Sequence, residues 1–202
     1  MPAVADTVPL GALTVDQWAA LDEDIEGELV DGELAEEEMP TAFHEAIAAC
    51  ILAVLRLWVY PRGGVAFGAE LKLAVSARRG RKADASAYLP GRALPGRSAG
   101  ATRRPPSIVV EVVSPRPRDV RRDVVDKKKE YAAFGVAYYW LVDPLARTFE
   151  VLELGADGRY TVALSASEGA QIIPGCEGLT VDLDELWAAG DRLPEAEPEE
   201  EA

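Results

Sequence analysis

Seven residues near the middle of the chain limit what the rest can be. From Ser107 to Val113 the sequence runs Ser-Ile-Val-Val-Glu-Val-Val, almost wholly apolar and β-branched. Such a run reads as a strand buried on both faces, and that kind of strand needs a layer of structure on each side of its sheet. Ala137 to Asp143 reads as a second buried strand. Between them, Asp119 to Phe134 reads as a helix stopped by Gly135.

The flanking elements follow from local signals. Thr14 and Gln17 form a capping-box pattern at the start of a short helix. Glu28 to Ala35 alternates around Asp31-Gly32, a hairpin turn signal. Thr41 caps a helix whose apolar positions, Ile47, Ile51, Val54, Leu55 and Trp58, recur at helical spacing until Pro61 and Gly63-Gly64. Ala69 to Val75 and Asp84 to Leu89 alternate as strands, and residues 90 to 106 form a Pro, Gly and Arg-rich loop. Strands near 147–154 and 159–165 and a helix from Asp182 to Ala189 close the chain. The order helix, sheet, helix, sheet, helix predicts an α/β (α+β) sandwich, a central mixed β-sheet flanked by helices. The 202 residues fit one domain, 1–191, followed by an acidic Pro-containing tail, 192–202, expected to be disordered.

Charge bounds the partners. The net charge of −14 argues against nucleic acid, because phosphate binding needs cations. The average conceals an asymmetry. Residues 78–129 hold 15 of the 21 Lys and Arg and only five acids, a balance of +10 that leaves −24 for the remainder. Residues 1–45 contain no Lys or Arg. The basic segment either meets a polyanion locally or pairs with the acidic N-terminal part. Cys50 and Cys176 lie far apart without metal-ligand spacing and read as buried thiols of a reducing compartment, so the cytoplasm is the expected location. No signal peptide is expected, and the longest apolar stretch, Ala46 to Tyr60, is interrupted by Arg56.

Four residues carry the candidate chemistry. Glu111 shares a strand face with Val109 and Val113, where an ionised carboxylate is costly unless a cation or hydrogen-bond donors meet it. A metal ion would be one such partner, a neighbouring Arg another. Asp84 opens the preceding strand; two carboxylates on neighbouring strands can hold one hard divalent cation, though Asp84 alone reads as a strand-start residue. Asp123 and Lys127 share a helix face that Tyr131 continues, which suits either an ordinary ion pair or a lysine aimed at a reacting phosphate. Periodicity does not choose among Lys127, Lys128 and Lys129. Glu28, by its position, is a surface strand residue. His44 is the only histidine and reads as a helix-start or core hydrogen bonder; zinc chemistry and histidine-dependent triads lack partners.

Taken together, the strings Gly27-Glu-Leu-Val-Asp-Gly-Glu33, Met39-Pro-Thr with His44, Asp84-Ala-Ser, Val109-Val-Glu-Val-Val-Ser-Pro115, Asp123-Val-Val-Asp-Lys127 with Tyr131, and Gly135-Val-Ala-Tyr-Tyr-Trp-Leu-Val-Asp-Pro144 resemble the Uma-type endonuclease family of the PD-(D/E)XK superfamily. They cover roughly residues 12 to 190. The resemblance implies a restriction-endonuclease-like core and hydrolysis of DNA with Mg²⁺ or Mn²⁺. By position, Asp84 and Glu111 become metal carboxylates, Glu28 an accessory metal ligand, and Lys127 the catalytic lysine. Two residues after the glutamate, where the superfamily places its lysine, stands Val113. Ala83 replaces the family's usual proline, and Ala137-Tyr-Tyr-Trp departs from its Glu-Tyr-Trp. DNA is the expected partner, and a homodimer is a further expectation. The competing readings are a catalytically inactive binding or assembly module on the same fold and a small-molecule hydrolase at the same site.

Overall fold

A computed structural model describes residues 13–22, 25, 27–35, 40–114 and 122–194, except the side chains of 122–124. The tail from 195 onward, the expected helix start at Asp119 and the Asp123 side chain lie outside the described residues.

Period-two runs build the centre. A six-stranded sheet has the order β10-β9-β8-β7-β6-β3. Its strands are β3 (Val65–Gly68), β6 (Ala85–Tyr88), β7 (Ile108–Val112), β8 (Tyr138–Asp143), β9 (Thr148–Leu154) and β10 (Tyr160–Ala166). β7 and β8 pair in parallel; every other neighbour is antiparallel, so the sheet is mixed as the sequence predicts. A second sheet joins β1 (Glu28–Val30), β2 (Glu33–Ala35), β4 (Lys72–Ser76) and β5 (Arg79–Lys82) in the order β2-β1-β5-β4. Asp31 (φ 53°) and Gly32 (φ 90°) both take positive φ in the β1–β2 turn, the left-handed pair that a tight hairpin requires. A small hairpin, β11 (Ala170–Ile172) with β12 (Thr180–Asp182), completes the strands.

Helices cover both faces of the large sheet. α2 (Ala42–Val59) starts at Thr41, whose hydroxyl accepts from His44 N, and runs on into a 3-10 turn at Tyr60–Arg62. Its Ile47, Ile51, Leu55 and Val59 pack on Val110, Val112, Trp140 and Val142, together with Leu183 and Trp187 of α4 (Leu183–Asp191). By length and composition Ala42–Arg62 is apolar enough to cross a membrane, more than the sequence reading allowed, yet its inner face lies in this core. The opposite face of the sheet, Val109, Val113, Tyr139, Leu141 and Leu152, is covered by Leu73 of β4 and by Tyr131 of α3 (Arg122–Phe134). α3 joins a π-helical turn, Arg122–Lys127, to an α-helix, Lys128–Phe134, and ends at Gly135 (φ 91°). Full burial of each large apolar side chain contributes about 1.5–3 kcal/mol. Both cysteines are free; Cys176 is buried as expected, whereas Cys50 is half-buried.

β5 had no apolar alternation to betray it. Its sequence Arg-Gly-Arg-Lys is set by ion pairs and by one close approach. α1 (Val15–Ala19) lays Trp18 over Gly80, while the indole N–H donates to Gly27 O at 2.9 Å. A Cβ at Gly80 would lie 2.2 Å from the Trp18 ring. Gly80→Ala should therefore lower stability by about 1–3 kcal/mol through overpacking. A denaturant melt checks this; an unchanged midpoint would show that α1 is not seated on β5.

Candidate active site

The site forms where β7 ends and β6 begins. Glu111 keeps the strand alternation and points into the α3 side of the sheet, only 3% exposed. Lys127 Nζ meets Oε2 at 2.6 Å, and Tyr131 OH donates to Oε1 at 2.7 Å. The lysine and the tyrosine are four residues apart, and one face of α3 delivers both. Burial, and then the charge of Glu111, push the Tyr131 pKa well above its ordinary value, so the hydroxyl stays protonated and donates. The sequence reading left a metal ion or an Arg as the cation beside Glu111. In the structure that cation is Lys127, the one of three consecutive lysines that is buried.

Asp84 approaches from the other strand. Ala85 lies opposite Val110, so one further step of the antiparallel register sets Asp84 opposite Glu111. Its Oδ2 accepts from Val112 N at 2.6 Å, one peptide unit from Glu111. His44 Nε2 stands 3.4 Å from the same oxygen and 3.0 Å from Val112 O. With two acceptors around it, Nε2 carries the proton. Although their backbones stand opposite each other, Asp84 reaches toward His44 of α2 and Glu111 toward Lys127 and Tyr131 of α3. Asp84 remains partly open to solvent. Among the described residues, no three His, Cys, Asp or Glu are grouped to hold a metal ion.

Behind Lys127 lies a buried ionic lattice. Glu28 Oε1 is 3.8 Å from Lys127 Nζ and accepts from Lys82 N at 2.9 Å; its Oε2 accepts from Arg81 Nη1 at 2.7 Å. Arg81, 1% exposed, also clamps Glu130 through Nε and Nη2 at 2.6 and 2.9 Å. Arg79 ties Glu130 (2.6 Å) to Asp31 (2.8 Å). Charges alternate along this chain, which compensates their burial. For Glu28, burial favours the neutral form, but Lys127, Arg81 and the Lys82 N–H outweigh it and lower the pKa. Glu28 stabilises the fold above its unfolded pKa, and that contribution is lost as pH falls through the lowered folded value. Both its oxygens are engaged, so Glu28 stands here as a partner of Lys127.

Sequence reasoning missed Arg81 and Glu130. Glu130 stands three residues after Lys127 on the same helix, a spacing that could have flagged it; nothing local marks Arg81. Much of the basic segment is spent in the same way. Arg103 pairs with Asp16, Lys82 with Glu70, and Arg78, Arg92 and Arg104 donate to backbone carbonyls. Pairing with the acidic N-terminal part is therefore what Arg79, Arg81 and Arg103 do.

Two outcomes follow. Arg81→Met leaves two buried carboxylates without their shared cation and should cost about 3–5 kcal/mol in a denaturant melt; a loss below about 1 kcal/mol would show the lattice to be solvated. His44 is the only histidine of the chain, so its imidazole signals need no assignment. Burial opposes its protonation, but the Asp84 hydrogen bond and charge, then Glu45 and Val112 O, outweigh it and raise the pKa above 6.5. Protonated His44 therefore stabilises the fold below its unfolded pKa, a contribution lost as pH rises through the raised folded value. An NMR titration in EDTA should give a midpoint above 6.5; one at or below it removes the His44–Asp84 contact.

The chain is similar to known proteins. A family model described as "Putative restriction endonuclease", Uma2, matches residues 14–184. The crystal structure of a "putative nuclease belonging to DUF820" from Anabaena variabilis superposes with a TM-score of 0.71 at 20% identity, covering 88% of this chain and 99% of that one. At that identity the likeness shows a shared fold. No curated protein matches. With most of its length covered by one family model, the chain belongs to the Uma2 family of restriction-endonuclease-like proteins.

Proposed function

We propose that this chain is an endonuclease that hydrolyses DNA phosphodiester bonds with Mg²⁺ or Mn²⁺, using Asp84, Glu111 and Lys127. The observation that carries the reading is the buried Lys127–Glu111 contact placed one peptide unit from Asp84. A lysine ammonium held between the carboxylates of Glu111 and Glu28, where one strand ends next to an aspartate that is partly open to solvent, suits a reacting phosphate.

Two carboxylates fit a hard cation by donor chemistry. Mg²⁺ typically takes one or two carboxylates and fills its other positions with water and phosphate oxygens. Asp84 and Glu111 would hold it, each through an oxygen lone pair not used by its present partner. Bound there, the cation would make water more acidic and draw negative charge off the phosphate. The remaining work belongs to the chain. Lys127 donates toward the phosphate oxygen on which charge develops, or orients the attacking water. Tyr131 fixes the Glu111 carboxylate, His44 fixes Asp84, and Glu28 with Arg81 fixes Lys127 from behind.

One observation favours the inactive module. Lys127 and Tyr131 already satisfy Glu111, so the carboxylate needs no metal ion to be tolerated. Melting scans paired with plasmid nicking separate the two readings. In the wild type, Mg²⁺ or Mn²⁺ should raise stability, by about 2.7 kcal/mol at a hundredfold excess over Kd. The same ion should lower the His44 midpoint, since a cation on Asp84 repels imidazolium. Glu111→Gln should lose the metal shift and the nicking. Lys127→Ala should keep the shift and lose nicking by about 100-fold or more. No shift and no nicking by the wild type, across metals and DNA forms, would establish the inactive module.

A further inference from the structure

The outer side of α3 carries charge that the site does not use. Lys127 and Tyr131 point inward, whereas Lys128, Lys129 and Ala132 fall on the next stripe of the helix. That stripe and the β9–β10 turn enclose an open groove of about 460 Å³, whose other wall is Gly158, Arg159 and Tyr160. Three cations line the groove and no acid does. Most of the described basic residues of the 78–129 segment are held by internal partners, but Lys128, Lys129 and Arg159 make no side-chain ion pair or hydrogen bond among the described residues. On a chain of net charge −14, such a cluster is a local exception.

Hydrogen bonds hold the backbone of the groove wall. Gly155 N donates to Arg159 O at 2.8 Å, and Arg159 N donates to Asp157 Oδ1 at 3.1 Å, so the turn that presents Arg159 is fixed. Tyr160 OH donates to Val136 O at 2.8 Å. Its ring lies 5.9 Å from that of Tyr139, which lies 5.2 Å from that of Tyr131, the residue bonded to Glu111. Two ring contacts through the core therefore link the groove wall to the partner of Glu111, so the groove lies on the same side of the large sheet as that carboxylate.

We propose that this groove holds the sugar-phosphate backbone of the DNA that the site cleaves, with Lys128, Lys129 and Arg159 each neutralising a phosphate. The proposal rests on the endonuclease reading and adds where the substrate lies. Positioning of this kind is sequence-independent and fixes register on the duplex.

The test uses the full chain and a fluorescein-labelled duplex, with anisotropy read against salt in EDTA and again in Mg²⁺. The triple variant Lys128→Gln, Lys129→Gln, Arg159→Gln should bind about tenfold or more weakly. Its slope of log Kd on log salt should fall by about two to three, near 0.9 per phosphate lost. A control with the same change in net charge, Arg56→Gln, Arg97→Gln, Arg192→Gln, alters exposed residues outside the groove and should shift affinity less than about twofold. Melting scans confirm that both variants fold. Wild type that binds while the groove variant keeps its affinity and slope, or matches the control, overturns the groove and spares the nuclease. Wild type that binds no duplex in either condition overturns both.

Discussion

A lysine ammonium and a carboxylate 2.6 Å apart, both shut off from water, are the contact around which the fold is arranged. Bringing two such ions out of water costs several kcal/mol each, and their attraction repays it only with good geometry and further hydrogen bonds. The chain meets that condition by extension. Glu28 stands behind Lys127, Arg81 behind Glu28, Glu130 beside Arg81, and Arg79 links the last to Asp31 at the surface. Each ion is tolerated because the next has the opposite sign. The lattice also joins the small sheet to α3, so the two sheets are fastened by charge as well as by Leu73, Val109 and Tyr139.

The architecture was legible because it obeys short-range rules. β7 and β8 announced themselves by apolar β-branched runs, the β1–β2 turn by Asp-Gly, α2 by its cap and spacing. β5 was not legible, because its alternation is ionic and its one small residue answers to the distant Trp18 indole. The site was half legible. Glu111 is conspicuous as a charge in an apolar strand, and Asp84 by its place at the start of the strand before it. The choice among three consecutive lysines required knowing which side of α3 faces the sheet, which is a tertiary fact. So is Arg81, whose meaning lies in Glu28 and Glu130 and not in its neighbours.

Charge counted along the chain misleads in a related way. The segment 78–129 suits either a polyanion partner or the acidic N-terminal part, and Arg79, Arg81, Arg103 and Lys127 neutralise acids of this same protein. What a partner meets is set by the cations left over, and one of these, Arg159, lies outside the segment altogether.

The lattice also has a temporal meaning. Arg81 is 53 residues from Glu28 and 49 from Glu130, and the parallel β7–β8 pair needs α3 as its crossover. Contacts so distant in sequence close only after large loops have been ordered, which makes them slow and late. Until the segments around Glu28, Arg81 and Lys127 have all been synthesised and docked, Lys127 has no stable place beside Glu111. The buried contact between Glu111 and Lys127 is therefore among the last features of the fold to be secured, although both residues lie near the middle of the chain.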